Sequence, residues 1–96
     1  MKYFEATKEV ANNCITRFTI RDTGYTFDRK NCKTTIGIKD LACTYFDIDV
    51  NVGSDKKIIH AENVSDLEIT FTGDAERENL IDGLKFILQQ LETNSL

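Results

Sequence analysis

The chain contains no proline and no tryptophan, and only five of its 96 residues are glycine. Without proline, the turns must be formed by Gly, Asn and Asp, and strand boundaries are less sharply marked. The glycines match neither GxGxxG nor GxxxxGKS/T, in which closely spaced glycines let the backbone approach a phosphate. A GxSxG motif around a nucleophilic serine is also missing. The sequence therefore shows no nucleotide-binding or serine-hydrolase motif.

Long apolar runs are missing as well. No stretch approaches the ~20 consecutive apolar residues of a membrane span. The first ten residues, MKYFEATKEV, lack the apolar segment of a signal peptide. The three cysteines, Cys14, Cys32 and Cys43, have no CxxC spacing. We therefore expect a cytoplasmic protein with reduced thiols and with neither a metal nor a cofactor.

The formal net charge is −4, with charged residues at 29% and apolar residues at 41%. An acidic chain is a poor sequence-independent nucleic-acid binder, because such binding depends on Lys and Arg contacts with phosphate. The longest basic cluster, Arg29, Lys30 and Lys33, is too short to form a phosphate-binding surface. This composition suits one small globular domain, and we expect a single domain over residues 1–96.

Short segments of alternating polarity predict a strand-rich region over residues 1–72. In the clearest segment, 43–52, every second residue is apolar, which is typical of an antiparallel sheet covered on one face. Residues 2–10 fit either a strand or a short helix, and the strand is favoured. The connections are too short for parallel crossovers, so we expect an antiparallel meander of five to seven strands. The further predicted strands are 14–21, 25–27, 34–39, 57–61 and 67–72.

Residues 74–92 predict an amphipathic helix, followed by a short frayed tail at 93–96. Its apolar positions occupy an arc of about 120° on a helical wheel. This helix is the only segment that can cover the sheet. We therefore expect an α+β fold in which the C-terminal helix packs across one face of the sheet and buries its apolar stripe. The stripe consists of Leu80, Ile81, Leu84, Ile87, Leu88 and Leu91.

One aromatic residue of the helix lies outside the stripe. Phe86 is roughly 160° from the centre of the apolar arc. Either the N-terminal segment covers this ring, or the ring is exposed as an ordinary surface residue or as a contact with a partner. The acidic, polar face of the sheet is a second candidate surface. The candidate partner-binding residues are therefore Phe86, Asn79, Asp82 and Gln90 on the helix and Asp47, Asp49 and Glu68 on the sheet.

Catalytic and metal-binding patterns are weak. The only histidine, His60, lies on a short predicted strand, and pairing with a cysteine would depend entirely on the fold. Residues 47–51 begin like a calcium-binding loop. The positions that require Gly and Glu hold Val52 and Ile58 instead, so the pattern fails. We expect no enzymatic activity.

The interpretation that remains is a non-enzymatic protein-interaction domain, an inhibitor or adaptor that binds a protein partner. An immunity-type or anti-defence inhibitor made by a mobile element is one example, by analogy of size and charge. Two alternatives stay open. One is a small-ligand-binding domain with a pocket between sheet and helix, and the other is a homodimeric structural module. Neither a membrane nor a nucleic acid is an expected partner.

Overall fold

The structure is a computed structural model that describes residues 4–27, 30–43, 45–53 and 57–94. Six antiparallel strands and one C-terminal helix form an α+β fold, which confirms the predicted class. The helix, α1, spans Asp74–Asn94 and is 21 residues long. The strands are β1 (Phe4–Ala11), β2 (Ile15–Asp22), β3 (Lys33–Ala42), β4 (Phe46–Val52), β5 (Lys57–Val64) and β6 (Asp66–Thr72).

The six strands are divided between two sheets. One sheet has four strands in the order β1-β2-β3-β6, and the other consists of β4 and β5 alone. The first three strands are neighbours in both sequence and sheet, as in a meander. The chain then forms the β4–β5 hairpin before β6 returns to lie beside β3.

Most predicted strands are confirmed, with shifted ends. The strand favoured within 2–10 is present as β1, although residues 2 and 3 lie outside the described residues. The predicted strand at 25–27 is wrong, because these residues form a loop. The carboxylate of Asp74 accepts the backbone N–H groups of Thr26 and Phe27, which in a strand would bond to a neighbouring strand.

The β4–β5 hairpin contains an irregularity in register. Phe46 faces Val64 but Ile48 faces Ala61, so β5 carries one extra residue at this point. Asn63 adopts a left-handed backbone conformation here, with φ of +55°, and its N–H donates to Oδ1 of Asp47 at 3.1 Å. Asn tolerates this conformation better than most residues, so sequence and bulge agree.

The chain divides into two compact units. The first consists of Met1–Glu5, Ile20–Thr35 and Thr70–Leu96, and the second of Ala6–Thr19 and Ile36–Ile69. Helix α1 therefore belongs to the first unit, and the β4–β5 hairpin belongs to the second.

The buried residues lie in the first unit. Among the described residues only Cys32, Thr34 and Gly73 are buried, and Cys32 is completely inaccessible. The N–H of Gly73 donates to the carbonyl of Cys32 at 2.8 Å, which ties the residue before α1 to the residue before β3. Gly73 has a φ of +124°, a conformation that is open essentially to glycine alone.

Gly73 is also the N-cap of α1. Its carbonyl accepts the first helical hydrogen bond, from the N–H of Arg77 at 3.1 Å. Asp74 and Glu76 lie in the first turn, where the helix dipole favours negative charge, and the last turn has no basic residue. The N-cap and the acidic first turn therefore define where the helix begins, whereas no comparable charge favours its end.

The expected burial of the apolar stripe is wrong. No residue of α1 is buried, and Leu84, at the centre of the stripe, is 47% exposed. Ile87, Leu88 and Leu91 are 53%, 58% and 61% exposed. Helical periodicity shows which residues share a face, but it does not show what covers that face.

Candidate functional site

An ion pair joins the end of β2 to the first turn of α1. The Arg77 guanidinium donates from Nη2 to Oδ2 of Asp22 at 2.8 Å and from Nε to Oδ1 at 3.2 Å. The two side chains are only 20% and 13% exposed, for Arg77 and Asp22 respectively. A cation in the first turn is unfavourable, because the helix dipole has its positive end there. The ion pair with Asp22 explains why Arg77 is nevertheless found at this position. The pair is a bidentate contact of the kind that fixes both groups in position.

Electrostatics around Asp22 favour its charged form. The hydrogen bond from Arg77 lowers the pKa of the Asp22 carboxyl and outweighs burial, which acts in the opposite direction. The Thr34 hydroxyl donates to Oδ1 of Asp22 at 2.9 Å, and the Gly24 backbone also contributes. Asp22 in turn raises the pKa of Arg77, so the pair stays ionised.

The ion pair lies against a loop whose base is closed by hydrogen bonds. We call residues 23–27 the Phe27 loop. Thr23 N–H donates to the carbonyl of Lys33 at 3.1 Å, and Lys33 N–H donates to the Thr23 hydroxyl at 3.0 Å. The Arg77 guanidinium lies over the Tyr25 ring, 4.5 Å from its centroid, a cation–π contact that supports the middle of the loop.

Asp74 holds the end of the Phe27 loop. Its Oδ1 accepts the N–H of Thr26 at 3.3 Å, and its Oδ2 accepts the N–H of Phe27 at 3.1 Å. Asp74 also influences the buried thiol of Cys32, whose pKa is raised first by burial and then by the hydrogen bond to this carboxylate. The Cys32 thiol is therefore shielded from solvent and favours its neutral form.

These contacts present one aromatic ring to solvent. Phe27 is 95% exposed and has a left-handed backbone conformation, with φ of +57°. Such a conformation costs a bulky residue about 1–2 kcal/mol. Full exposure of the ring is a second unfavourable feature, since it forgoes all hydrophobic burial. An exposed aromatic with a strained backbone, in a loop that is held by several hydrogen bonds, is the strongest functional candidate among the described residues.

A surface depression of about 360 Å³ lies beside this ring. It is lined by Phe27, Asp74, Ala75 and Glu76. The depression therefore combines an aromatic face with two carboxylates. These groups are complementary to a side chain that has an apolar stem and a basic end.

A second cluster lies on the β4–β5 hairpin. His60 is opposite Asp49 in the register, its Nδ1 contacts Oδ1 of Asp49, and its Nε2 lies 3.2 Å from Oε1 of Glu62. These carboxylates raise the pKa of His60, with Asp49 the larger cause. His60 thus pairs with carboxylates rather than with a cysteine. The arrangement fastens the two strands of the hairpin together.

The sequence-predicted site residues fall into two groups. Those on α1 lie in the first unit, where Phe86 is 61% exposed and is not covered by the described part of the N-terminal segment. Exposure does not distinguish Phe86 from the stripe, however, because Leu91 is also 61% exposed. Asn79, Asp82 and Gln90 are exposed as well.

The predicted sheet residues all lie in the second unit. Asp47 and Asp49 are brought together on β4, but both carboxylates contact the hairpin itself, at Asn63 and His60. Glu68 is exposed on β6. Asp47 and Asp49 thus have structural partners, and the use of the three acids as a recognition surface stays a prediction.

Phe27 is the residue that sequence reasoning missed. Its alternation with Tyr25 predicts a short strand, and in a strand its exposure would be unremarkable. The available signal is the position of Asp74, an acid at the start of a helix that can accept backbone N–H groups as well as stabilise the helix. The sequence alone does not show which N–H groups those are.

The expected pocket between sheet and helix is not among the depressions described. A second depression, of about 390 Å³, is lined by Gln90, Leu91, Thr93 and Asn94 at the end of α1. The described residues that line these two depressions include none from the strands. The small-ligand alternative stays a prediction.

No protein-family model matches the chain, and neither a curated protein nor a solved structure matches it either. The described part of the chain contains no helix with the length and apolarity needed to cross a membrane. Within the same residues, no group of three or more His, Cys, Asp or Glu side chains could hold a metal ion. The geometry of the Phe27 loop is therefore the basis for a functional proposal.

The ion pair at the base of the site gives a stability prediction. Asp22→Asn is expected to lower the free energy of unfolding by roughly 1.5–3 kcal/mol, because Arg77 loses a charged hydrogen-bond partner in a mostly buried position. The matched control is Glu9→Gln, which removes an ion pair with Arg17 whose side chains are 52% and 38% exposed. This change should cost less than about 1 kcal/mol. Urea denaturation measures the free energy of unfolding of both variants. Equal losses would show that the Asp22–Arg77 pair stabilises the fold no more than an exposed ion pair does.

His60 gives a pH prediction. Its pKa should lie above the ordinary value of about 6.5, which proton NMR can measure on the single histidine of the chain. The stabilising contribution of protonated His60 is fully present below the unfolded pKa and is lost as pH rises through the folded pKa. Asp49→Asn should lower the pKa of His60 more than Glu62→Gln does. The reverse order would contradict the contacts described.

Proposed function

We propose that this chain is a non-enzymatic protein-binding domain that inserts the Phe27 ring into an apolar pocket on a partner protein. It acts by occupying that partner's surface, as an inhibitor or an adaptor does. We place this activity in the cytoplasm, where three cysteines without a disulfide are the usual state. The observation that supports the proposal best is the almost fully exposed ring of Phe27 on a strained backbone that is held by hydrogen bonds.

Preorganisation is the physical reason why such a ring would serve binding. Ordering a loop and a side chain during association costs about 0.5–1.5 kcal/mol for each immobilised side chain. In the Phe27 loop the backbone is already fixed by Asp74 and by the Thr23–Lys33 hydrogen bonds. The ring can then bury its surface without a further backbone penalty, as the central aromatic residues of protein interfaces do.

The surroundings of the ring indicate the chemistry of the partner. The depression beside Phe27 is lined by the carboxylates of Asp74 and Glu76, and the whole chain carries a net charge of −4. A partner surface with an apolar pocket next to a Lys or Arg side chain is complementary to both features. Electrostatic attraction would then speed association, and the ring would supply most of the binding energy.

Phe27→Gly is the substitution that tests this proposal. It removes the ring and relieves a left-handed strain of about 1–2 kcal/mol, against an entropy penalty for glycine of about 0.4–1 kcal/mol. The melting temperature should therefore stay unchanged or rise slightly, while binding to the partner is lost. Affinity purification from the source cell, followed by binding measurements with the purified partner, provides the readout.

Two variants serve as controls. Phe27→Tyr keeps an aromatic ring and should retain the partner, whereas Tyr45→Ala removes a different exposed aromatic, 68% accessible, and should not affect binding. A Phe27→Gly protein that binds its partner at wild-type strength would refute the role of the ring. Failure of the wild-type protein to recover any stoichiometric partner would refute the proposed function itself.

A further inference from the structure

Two of the three cysteines lie close together in the second unit. Cys14 is the last residue of the connection between β1 and β2, and Cys43 directly follows β3. The two are 29 residues apart in the chain, yet Sγ of Cys14 donates a hydrogen bond to the carbonyl oxygen of Cys43 at 2.8 Å. The fold therefore brings together two thiol-bearing residues that the sequence leaves far apart.

The hydrogen bond limits the distance between the Cys14 sulfur and the Cα of Cys43. A carbonyl oxygen is about 2.4 Å from the Cα of its own residue, so this sulfur is at most roughly 5 Å from that Cα. A cysteine sulfur in turn lies about 2.8 Å from its own Cα. Turning the Cys43 side chain toward Cys14 therefore brings the two sulfurs to roughly the 2 Å separation of a disulfide.

Cys43 has two properties that packing does not explain. Free cysteines are among the most buried residue types, but Cys43 is exposed. Its backbone is left-handed, with φ of +60°, a conformation that favours Gly, Asn or Asp. Cys14 is partly accessible as well, in a turn that the N–H of Asn12 closes by donating to the Cys14 carbonyl at 3.0 Å. Both thiols are thus within reach of a small reactant in solution.

Cys32 provides a contrast within the same chain. Its side chain is completely inaccessible, and burial together with Asp74 raises the pKa of its thiol. It belongs to the first unit, whereas Cys14 and Cys43 belong to the second. Cys32 should therefore not react with an oxidant while the protein is folded.

We propose that Cys14 and Cys43 are a redox-active pair that closes to a reversible disulfide on reaction with a low-molecular-weight disulfide such as oxidised glutathione. Cytosolic disulfides are usually transient, so the reduced pair is the resting state. The bond ties the connection between β1 and β2 to the end of β3. It closes a loop of chain that contains both β2 and β3.

The exchange takes place in two balanced steps. The more accessible Cys43 loses its thiol proton to water, and its thiolate attacks one sulfur of oxidised glutathione, forming a mixed disulfide and releasing one glutathione thiolate. Cys14 then loses its thiol proton, and its thiolate attacks Sγ of Cys43 and displaces the second glutathione thiolate. Two protein thiols are oxidised by two electrons in total. One glutathione disulfide is reduced to two glutathione molecules, which take up the two protons.

Closure of the loop should stabilise the folded chain, because a cross-link removes conformations that are open to the unfolded chain. The Phe27 loop lies in the first unit and contains neither cysteine of the pair. The redox pair is therefore independent of the proposed function, and Phe27→Gly should form the same disulfide as the wild type.

Incubation of the folded protein with oxidised glutathione tests the pair directly. Remaining thiols are alkylated after denaturation, and peptide mapping by mass spectrometry identifies the linked residues. The expected product is a monomer with a Cys14–Cys43 bond, an alkylated Cys32 and no bound glutathione. Its melting temperature should exceed that of the reduced protein, and dithiothreitol should reverse both changes.

Two variants separate the steps. Cys14→Ser should stop the reaction after the first step and retain one glutathione on Cys43. Cys43→Ser should take up glutathione more slowly, since Cys14 is the less exposed of the two. The wild-type product decides the proposal even if a variant fails to fold.

Four results with the wild-type chain would overturn the proposal. They are retention of glutathione on Cys43, a disulfide between two copies of the chain, no reaction at either cysteine, and a linked protein that melts no higher than the reduced one.

Discussion

The ion pair between Asp22 and Arg77 is the contact on which the candidate site depends. It joins residues 55 positions apart in the chain and is mostly shielded from water. Because Arg77 lies in the first turn of α1, the pair fixes where the helix begins relative to the end of β2. Asp74, three residues earlier, is then positioned over the Phe27 loop. Loss of the pair would therefore affect the backbone of Phe27, although neither Asp22 nor Arg77 touches that ring.

Four acidic side chains of this chain have structural roles that the composition does not show. Asp22 and Asp74 hold the first unit together at the start of α1, and Asp47 and Asp49 hold the β4–β5 hairpin. Each of these carboxylates accepts hydrogen bonds from the protein itself. The net charge of −4 therefore does not by itself locate a recognition surface, and the strained, exposed Phe27 is a better guide to its position.

Much of the fold could be predicted from local patterns, because they depend on neighbouring residues. Alternation identified the strands that became β2, β4 and β6, and apolar periodicity identified α1. The pairing of β3 with β6 and the separate β4–β5 sheet depend on contacts between distant residues, which alternation does not encode. The sequence also showed that Phe86 lies off the stripe, but not that four of the six stripe residues are exposed.

The candidate site could not be predicted from the sequence for a related reason. The role of Asp74 arises from two N–H groups nearly fifty residues away, and the conformation of Phe27 follows from that contact. A local pattern of Tyr25, Thr26 and Phe27 predicts a strand because β-rich residues alternate there. The long-range hydrogen bonds override that preference, and no property of the three residues themselves predicts this outcome.

Amide hydrogen exchange in Arg77→Gln, measured by NMR, tests the central claim most directly. If the ion pair positions Asp74 over the loop, the amides of Thr26 and Phe27 should exchange faster than in the wild type. The amides of Val50 and Ile59, which face each other in the β4–β5 hairpin, should be unaffected. Unchanged exchange at Thr26 and Phe27, with the ion pair gone, would show that the loop is held independently and would contradict this account.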